Sequence, residues 1–368
     1  MRIVFRHEIL NIEPYVPGKP ISEVKKELNL TDVIKMASNE NPLGPSSLAV
    51  QAVKDNLDKL HIYPDGGSVD LKDKIATNVR VAPEQVIIGN GSDEILKLIG
   101  EAFLQPDDEV IMAWPTFSEY SFVTRLMGAK ELRVPLKDFT HDLEAMFAQI
   151  SARTKIIFIC NPNNPTGTII THQELDEFLK KVPRHILVVV DEAYFEYVTA
   201  DDYPKTLELL PTYENLIVTR TFSKIYGLAA LRVGYGIGNR GIIDLINRVR
   251  EPFNVNGLAQ IAALRSLEDN EHLKRSLKVN EAGKNYLYSE FEQLGLNYVK
   301  TQANFILVDL GSFDADPVFN ALLQKGVIIR SARTFGLRNF IRVTIGTKEQ
   351  NQRFIKALKE VLTGANSD

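Results

Sequence analysis

A single cysteine, Cys160, stands in 368 residues, which excludes an intrachain disulfide and any metal site built from several cysteines. It closes the apolar run IIFIC, where a buried, inert thiol is expected. The six histidines (His7, His61, His141, His172, His185 and His272) show no HExxH pattern or other close ligand spacing, so no metal centre is expected. An excess of one charge is also missing. The 43 Lys and Arg against 47 Asp and Glu give a formal charge of -4, which makes no basic field for nucleic acid or an anionic membrane. No uninterrupted apolar run approaches membrane-spanning length, and Arg6, His7 and Glu8 stand where a secretory leader would carry its apolar core. These absences lead to the expectation of a cytoplasmic protein with small-molecule partners. A chain of this length with 44% hydrophobic residues can bury a large core, and two domains are expected before one.

What the sequence does contain is a series of short apolar runs separated by helix-like stretches. QVIIGN (85–90), EVIMAW (109–114), KIIFIC (155–160), ILVVVDE (186–192) and NLIVTR (215–220) read as parallel strands buried on both faces. Between them, SDEILKLIGEAFL opens a helix at Ser92 with acidic residues in its first turn. THQELDEFLKKV opens another at Thr171, with Glu174 at the capping-box position. The alternation predicts an α/β fold around a doubly wound, mostly parallel sheet. The stretch from Gly257 to Gly295 is long, charged and free of proline, which predicts one helix connecting two domains. Beyond it, NFILVDL (304–310), GVIIRS (326–331) and FIRVTIG (340–346) predict a smaller α+β domain. The first forty residues, rich in Pro, Asn and Gly, read as an ordered arm or loop.

Chemistry collects where the apolar runs end, the expected location in an open parallel sheet. IIFIC leads to NPNNPTG (161–167), ILVVV to Asp191 and Tyr194, LIVTR to Thr221, Ser223 and Lys224, and VIIG to Asn90, Gly91 and Ser92. Each position also has a plainer reading: NPNNPTG as a turn, Asp191 as a helix cap, Gly91 and Ser92 as an ordinary strand-to-helix loop. Together they suit pyridoxal 5'-phosphate. Lys224 offers an amine for its aldehyde and, once freed, a proton shuttle. Asp191 suits its ring nitrogen, Asn164 and Tyr194 its phenolate oxygen, and Phe117 its ring face. Backbone N–H groups at Gly91 and Ser92, with Ser223 and with Arg232 eight positions after Lys224, suit its phosphate.

These residues belong to longer motifs: EPYVPGKP (13–20), ASNENPLGPS (37–46), YPDGG (63–67), GNGSDE (89–94), DEAYFEY (191–197), TFSKIYGLAALRVGY (221–235) and IRVTIGT (341–347). With NPNNPTG they span nearly the whole chain, which resembles the fold-type-I, class II aminotransferases and among them the histidinol-phosphate aminotransferase family. The resemblance implies a large cofactor-binding domain over 41–255 and a small domain over 256–368 that includes the connecting helix. Residues 1–40 would form an arm and part of the small domain. It implies a homodimer in which Tyr63 reaches the cofactor phosphate of the neighbouring copy. Arg330 and Arg342 would hold the anionic end of each substrate, with Tyr15 and Asn39 of the arm nearby. Either arginine could instead be a solvated strand-end charge. The substrates implied are histidinol phosphate and the 2-oxoglutarate/glutamate pair. One departure is Phe117, where many relatives carry Tyr; stacking survives and contacts through the hydroxyl do not.

The nearest alternatives on the same scaffold are an aromatic amino-acid aminotransferase and a phosphothreonine-type decarboxylase. GIGNRG (236–241) formally matches a dinucleotide-binding GxGxxG, but no second parallel strand ending in an acidic residue follows it.

Overall fold

The computed structural model describes residues 6–12, 14 and 19–364. Its strands, in chain order, are β1 (Ile34–Lys35), β2 (Val86–Gly89), β3 (Glu109–Trp114), β4 (Lys130–Pro135), β5 (Thr154–Cys160), β6 (Leu187–Asp191) and β7 (Leu216–Thr221). They continue with β8 (Gly234–Gly238), β9 (Asn297–Val299), β10 (Phe305–Asp309), β11 (Val327–Ile328), β12 (Arg330–Ser331) and β13 (Phe340–Thr344). A seven-stranded sheet has the order β2-β8-β7-β6-β5-β3-β4. Its pairs are parallel except those of β8, which runs antiparallel to β2 and β7.

Alternate side chains of the central strands enter different cores. Ile157, Ile159, Val188 and Val190 pack with Leu175 and Phe178 of the helix His172–Lys181. Ile156, Phe158, Leu187 and Val189 pack with Ile95 and Ile99 of Ser92–Phe103 and Val123 of Ser118–Leu126. Each fully buried side chain of this size stabilises by about 1.5–3 kcal/mol, so both faces of a strand must be apolar. That is why these runs read as continuous rather than alternating.

Two strands of the seven-stranded sheet escaped the sequence reading, as did the short β1 and β9 outside it. KELRVP (β4) is an edge strand with largely exposed side chains, and GYGIG (β8) has too few side chains to register as a strand. Because β8 is antiparallel, GIGNRG lies outside any parallel βαβ unit, and the Asn239 side chain takes the Gly241 N–H at 2.8 Å.

The single helix expected over 257–295 is two, Gly257–Ser266 and Asn270–Gln293. Asp269 separates them: its carboxylate accepts the His272 N–H at 2.9 Å and the Ser46 hydroxyl at 2.5 Å. Ala259, Ala262 and Ala263 of the first helix enter the core of the large sheet. Leu287 and Phe291 of the second pack against the antiparallel sheet β12-β13-β10-β9. The break lies where the chain passes from one core to the other.

GVIIRS also divides. Val327 and Ile328 pair in parallel with Ile34 and Lys35, whereas Arg330 and Ser331 pair with β13. The N-terminal segment is thereby held on the second sheet: Val24, Val33 and Ala37 pack with Leu323 and Ile328. The Thr344 N–H also donates to the Met36 carbonyl at 2.8 Å. No helix among the described residues is long and apolar enough to cross a membrane.

Candidate functional site

The chain visits β3 and β4 on one side of β5 and then β6 and β7 on the other, so the strand order reverses beside β5. Loops diverge at such a point and leave a crevice beyond the carboxyl ends of the strands. A cavity of 380 Å³ opens there. It is lined by Asn39, Ser92, Phe117, Asn164, Asp191, Tyr194, Thr221, Ser223, Lys224, Arg232, Arg330 and Arg342.

Asp191 forms the floor. It is 2% exposed, and its two oxygens accept the Tyr120 hydroxyl at 2.8 Å and the Thr219 hydroxyl at 3.1 Å. Burial raises its carboxyl to about 6, and these two donors oppose the shift. It caps no helix. Just past β7, the Ser223 N–H donates to Oγ1 of Thr221, the last residue of the strand, at 3.1 Å, and Lys224 follows into the cavity. Lys224 Nζ lies 3.5 Å from the Ser38 carbonyl and 5.5 Å above the centre of the Tyr194 ring. Burial first, and the positive field of Arg342 second, bring its ammonium down to about 8.

One end of the cavity gathers hydrogen-bond donors. The helix Ser92–Phe103 begins there with N–H groups that no helical carbonyl can satisfy. Gly91 precedes it with φ +81°, and a Cβ on it would sit 2.6 Å from Arg232 Nη2. Arg232, itself left-handed at φ 53°, reaches Ser223 Oγ at 3.2 Å and Asp93 Oδ2 at 3.0 Å.

NPNNPTG is a turn with divided duties. Asn161 and Asn163 hold the loop by accepting the Ile170 N–H and the Thr116 hydroxyl at 3.0 and 2.8 Å. Asn164 faces the cavity. Gly167 lets the loop meet the connection between β9 and β10: a Cβ there would lie 2.0 Å from Thr301 Oγ1.

The opposite wall comes from β12, β13 and the segment after β1. Arg342 is 7% exposed, so it is not a solvated strand-end charge. Its guanidinium donates to Asn164 Oδ1 at 2.5 Å and to the Ala37 carbonyl at 2.7 Å. Arg330 lies directly opposite Arg342 across the strand pair and is half-buried. Asn39, at φ 57°, donates to the Tyr194 phenol oxygen at 2.9 Å and is tied to Thr344. Burial, the first cause, pushes the Tyr194 phenol well up, so it keeps its proton.

Two expected residues stand apart. Tyr63 lines no part of this cavity; it is 79% exposed and stacks on Phe253 at 4.8 Å. Tyr15 lies outside the described residues. The sequence reading missed Tyr120 and Thr219, which meet Asp191, and Glu119 and Phe335, which line the cavity. Burial raises Glu119 to about 7. In sequence, SEYSFV carries only an amphipathic helix signal, and nothing marks which of its residues faces a carboxylate. The assembled set offers an amine, a buried carboxylate, an aromatic face, an anion cradle and two further cations. It can hold a phosphorylated aromatic aldehyde together with an anionic partner.

Residues 31–358 match the family model described as aminotransferase class I and II. A histidinol-phosphate aminotransferase of Moorella thermoacetica is 56% identical over 358 residues, 97% of this chain and 92% of the relative. One of Caldicellulosiruptor saccharolyticus is 52% identical over 359 residues, 98% of this chain and all (100%) of the relative. Among solved structures, the histidinol-phosphate aminotransferase of Sinorhizobium meliloti in complex with pyridoxal 5'-phosphate superposes with a TM-score of 0.90 at 25% identity. That match covers 98% of each chain.

Proposed function

We propose, for a chain that belongs to the aminotransferase class I and II family, that it catalyses amino transfer between L-histidinol phosphate and 2-oxoglutarate, with pyridoxal 5'-phosphate as cofactor. The products are imidazole acetol phosphate and L-glutamate. One observation carries the reading: Lys224, Asp191 and the Arg232 end of the anion cradle line one cavity, with Arg330 and Arg342 on its far wall. The near full-length similarity to relatives of that name supports the choice of substrate.

The donor set fits the cofactor on three counts. Gly91 leaves room between the helix start and Arg232 that a side chain would fill. Asp191 keeps both oxygens hydrogen-bonded at the floor despite burial, and Lys224 has an amine depressed toward neutrality. When bound, the cofactor supplies an aldehyde for the amino group and a ring that accepts electrons from the neighbouring carbon. Lys224 Nζ is the amine that would hold the aldehyde and, when free, the base that would move a proton at the substrate carbon. The Asp191 carboxylate would keep a proton on the ring nitrogen. Asn164 and Tyr194 would hold the phenolate oxygen, and Phe117 would cover one ring face.

Arg342 and Arg330 orient both substrates by their anionic groups, the phosphate of histidinol phosphate and a carboxylate of 2-oxoglutarate. The protein acts as a homodimer in the cytoplasm, and the exposed Tyr63 serves the cofactor phosphate of the neighbouring copy. The test compares turnover of histidinol phosphate, phenylalanine and phosphothreonine with 2-oxoglutarate present. Histidinol phosphate should be strongly preferred; a preference for phenylalanine, or release of carbon dioxide, overturns the assignment.

A further inference from the structure

We propose that Tyr120 is a positioning residue that sets, from one buried ring, both the carboxylate of Asp191 and the aromatic face of Phe117. Its hydroxyl donates to Asp191 Oδ2 at 2.8 Å. Its ring stacks on Phe158 of β5 with centroids 4.6 Å apart and planes 7° apart, and meets Phe117 edge-on at 5.7 Å and 89°. No part of the side chain reaches solvent: Tyr120 is 0% exposed.

The local sequence explains the link to Phe117. Phe117 caps the helix Ser118–Leu126, and Tyr120 follows one turn later, so both project from the same side of the helix start. The sheet explains the link to Asp191. Phe158 on β5 pairs with Val189 on β6, and Asp191 ends β6, so a ring seated on Phe158 carries its hydroxyl to the carboxylate. Burial keeps the phenol protonated, which makes it the donor in this bond. Thr219 takes the other carboxylate oxygen, and two donors together favour the ionised, fixed carboxylate over a protonated one. Tyr120 therefore touches both protein groups that would bracket the cofactor ring, one at its nitrogen and one on its face.

This inference rests on the proposed cofactor reading, and its test separates the two. The titratable groups facing Asp191 are Tyr120 on the helix after β3, Cys160 at the end of β5, Tyr194 after β6 and, farther off, Asp93. Holoenzymes of wild type, Tyr120→Phe, Thr219→Val and Tyr213→Phe are compared. Tyr213 is a control: its hydroxyl is also bonded to a carboxylate, Asp176 at 2.6 Å, but it lines no part of the cavity. The measurements are kcat, KM for histidinol phosphate, cofactor affinity, and the visible spectrum of the bound cofactor across pH.

Tyr120→Phe should lower kcat about 10- to 100-fold, the loss expected when a hydrogen bond to a charged group is removed, with little change in KM. The spectral transition should shift along the pH axis. Thr219→Val should move kcat and spectrum in the same direction, and Tyr213→Phe should move neither. A Tyr120→Phe protein that is only less heat-stable, with wild-type kcat and spectrum, overturns the proposal. If Tyr120→Phe fails to fold, a wild-type spectrum in Thr219→Val overturns it instead. Failure of the wild type to take up the cofactor overturns the reading of the whole site, which the same measurement shows first.

Discussion

At the floor of the cavity, Asp191 meets two hydroxyl donors, Tyr120 from the helix after β3 and Thr219 from the neighbouring strand β7. At the wall, Arg330 and Arg342 stand directly opposite each other, two like charges on adjacent strands, and the Arg342 guanidinium donates to groups on other elements, Asn164 Oδ1 and the Ala37 carbonyl. Like charges in such a pair are destabilising unless something anionic joins them. Each oxygen of the floor carboxylate thus has a donor, whereas the wall sets two cations side by side. In the proposed reaction the floor serves a cofactor that stays, and the wall serves two substrates that alternate.

The largest test of this contrast is at the floor. Lys224→Ala should lose the visible band of the bound cofactor and lower turnover by at least about 1,000-fold, within the range of removing a positioned proton-transfer group. An active variant would remove the mechanism. Mixed with Tyr63→Phe, the Lys224→Ala protein should recover some activity if sites are shared between copies; verified mixed dimers without recovery would count against sharing.

A smaller effect is expected at the wall, and unequally. Arg342→Gln removes a buried, hydrogen-bonded cation and should lower kcat/KM for both substrates about 100-fold or more. Arg330→Gln, half-buried, should cost about tenfold, mostly in KM. Equal losses would show that the two arginines are not divided as their burial suggests.

The smallest effect connects the two regions through pH. Lys224 is brought to about 8 by burial and then by Arg342. As pH rises through that value the ammonium loses its proton, so capture of the cofactor by the apoprotein should increase about tenfold between pH 6 and 7 and level off above 8. Arg342→Gln removes a charge that disfavours the ammonium, so levelling should move to higher pH. A capture rate flat from pH 6 to 8 would contradict the assignment.

The buried strands were legible because β5, β6 and β7 are apolar on both faces, and the residues at their ends carried unusual chemistry: Asn164, Asp191, Lys224. β8 was not, because a glycine-rich strand has almost no periodicity to read. Tyr120 was not, because its role is a bond to a residue 71 positions away that no local pattern encodes. The break at Asp269 was missed because an aspartate in a charged helical stretch looks the same whether it faces water or caps a second helix.

By its own pattern the sequence determined the parallel strands, the polar groups at their carboxyl ends and, by resemblance, the kind of cofactor these groups suit. Burial of apolar runs is a local demand, and strand ends inherit it. Tertiary structure alone decided that Arg342 is buried against Asn164, that Asn39 bonds Tyr194, and that Tyr120 stands between Phe117 and Asp191. Those pairings join residues distant in sequence, and the docking of two sheets and a helix decides them rather than any preference of the residues themselves.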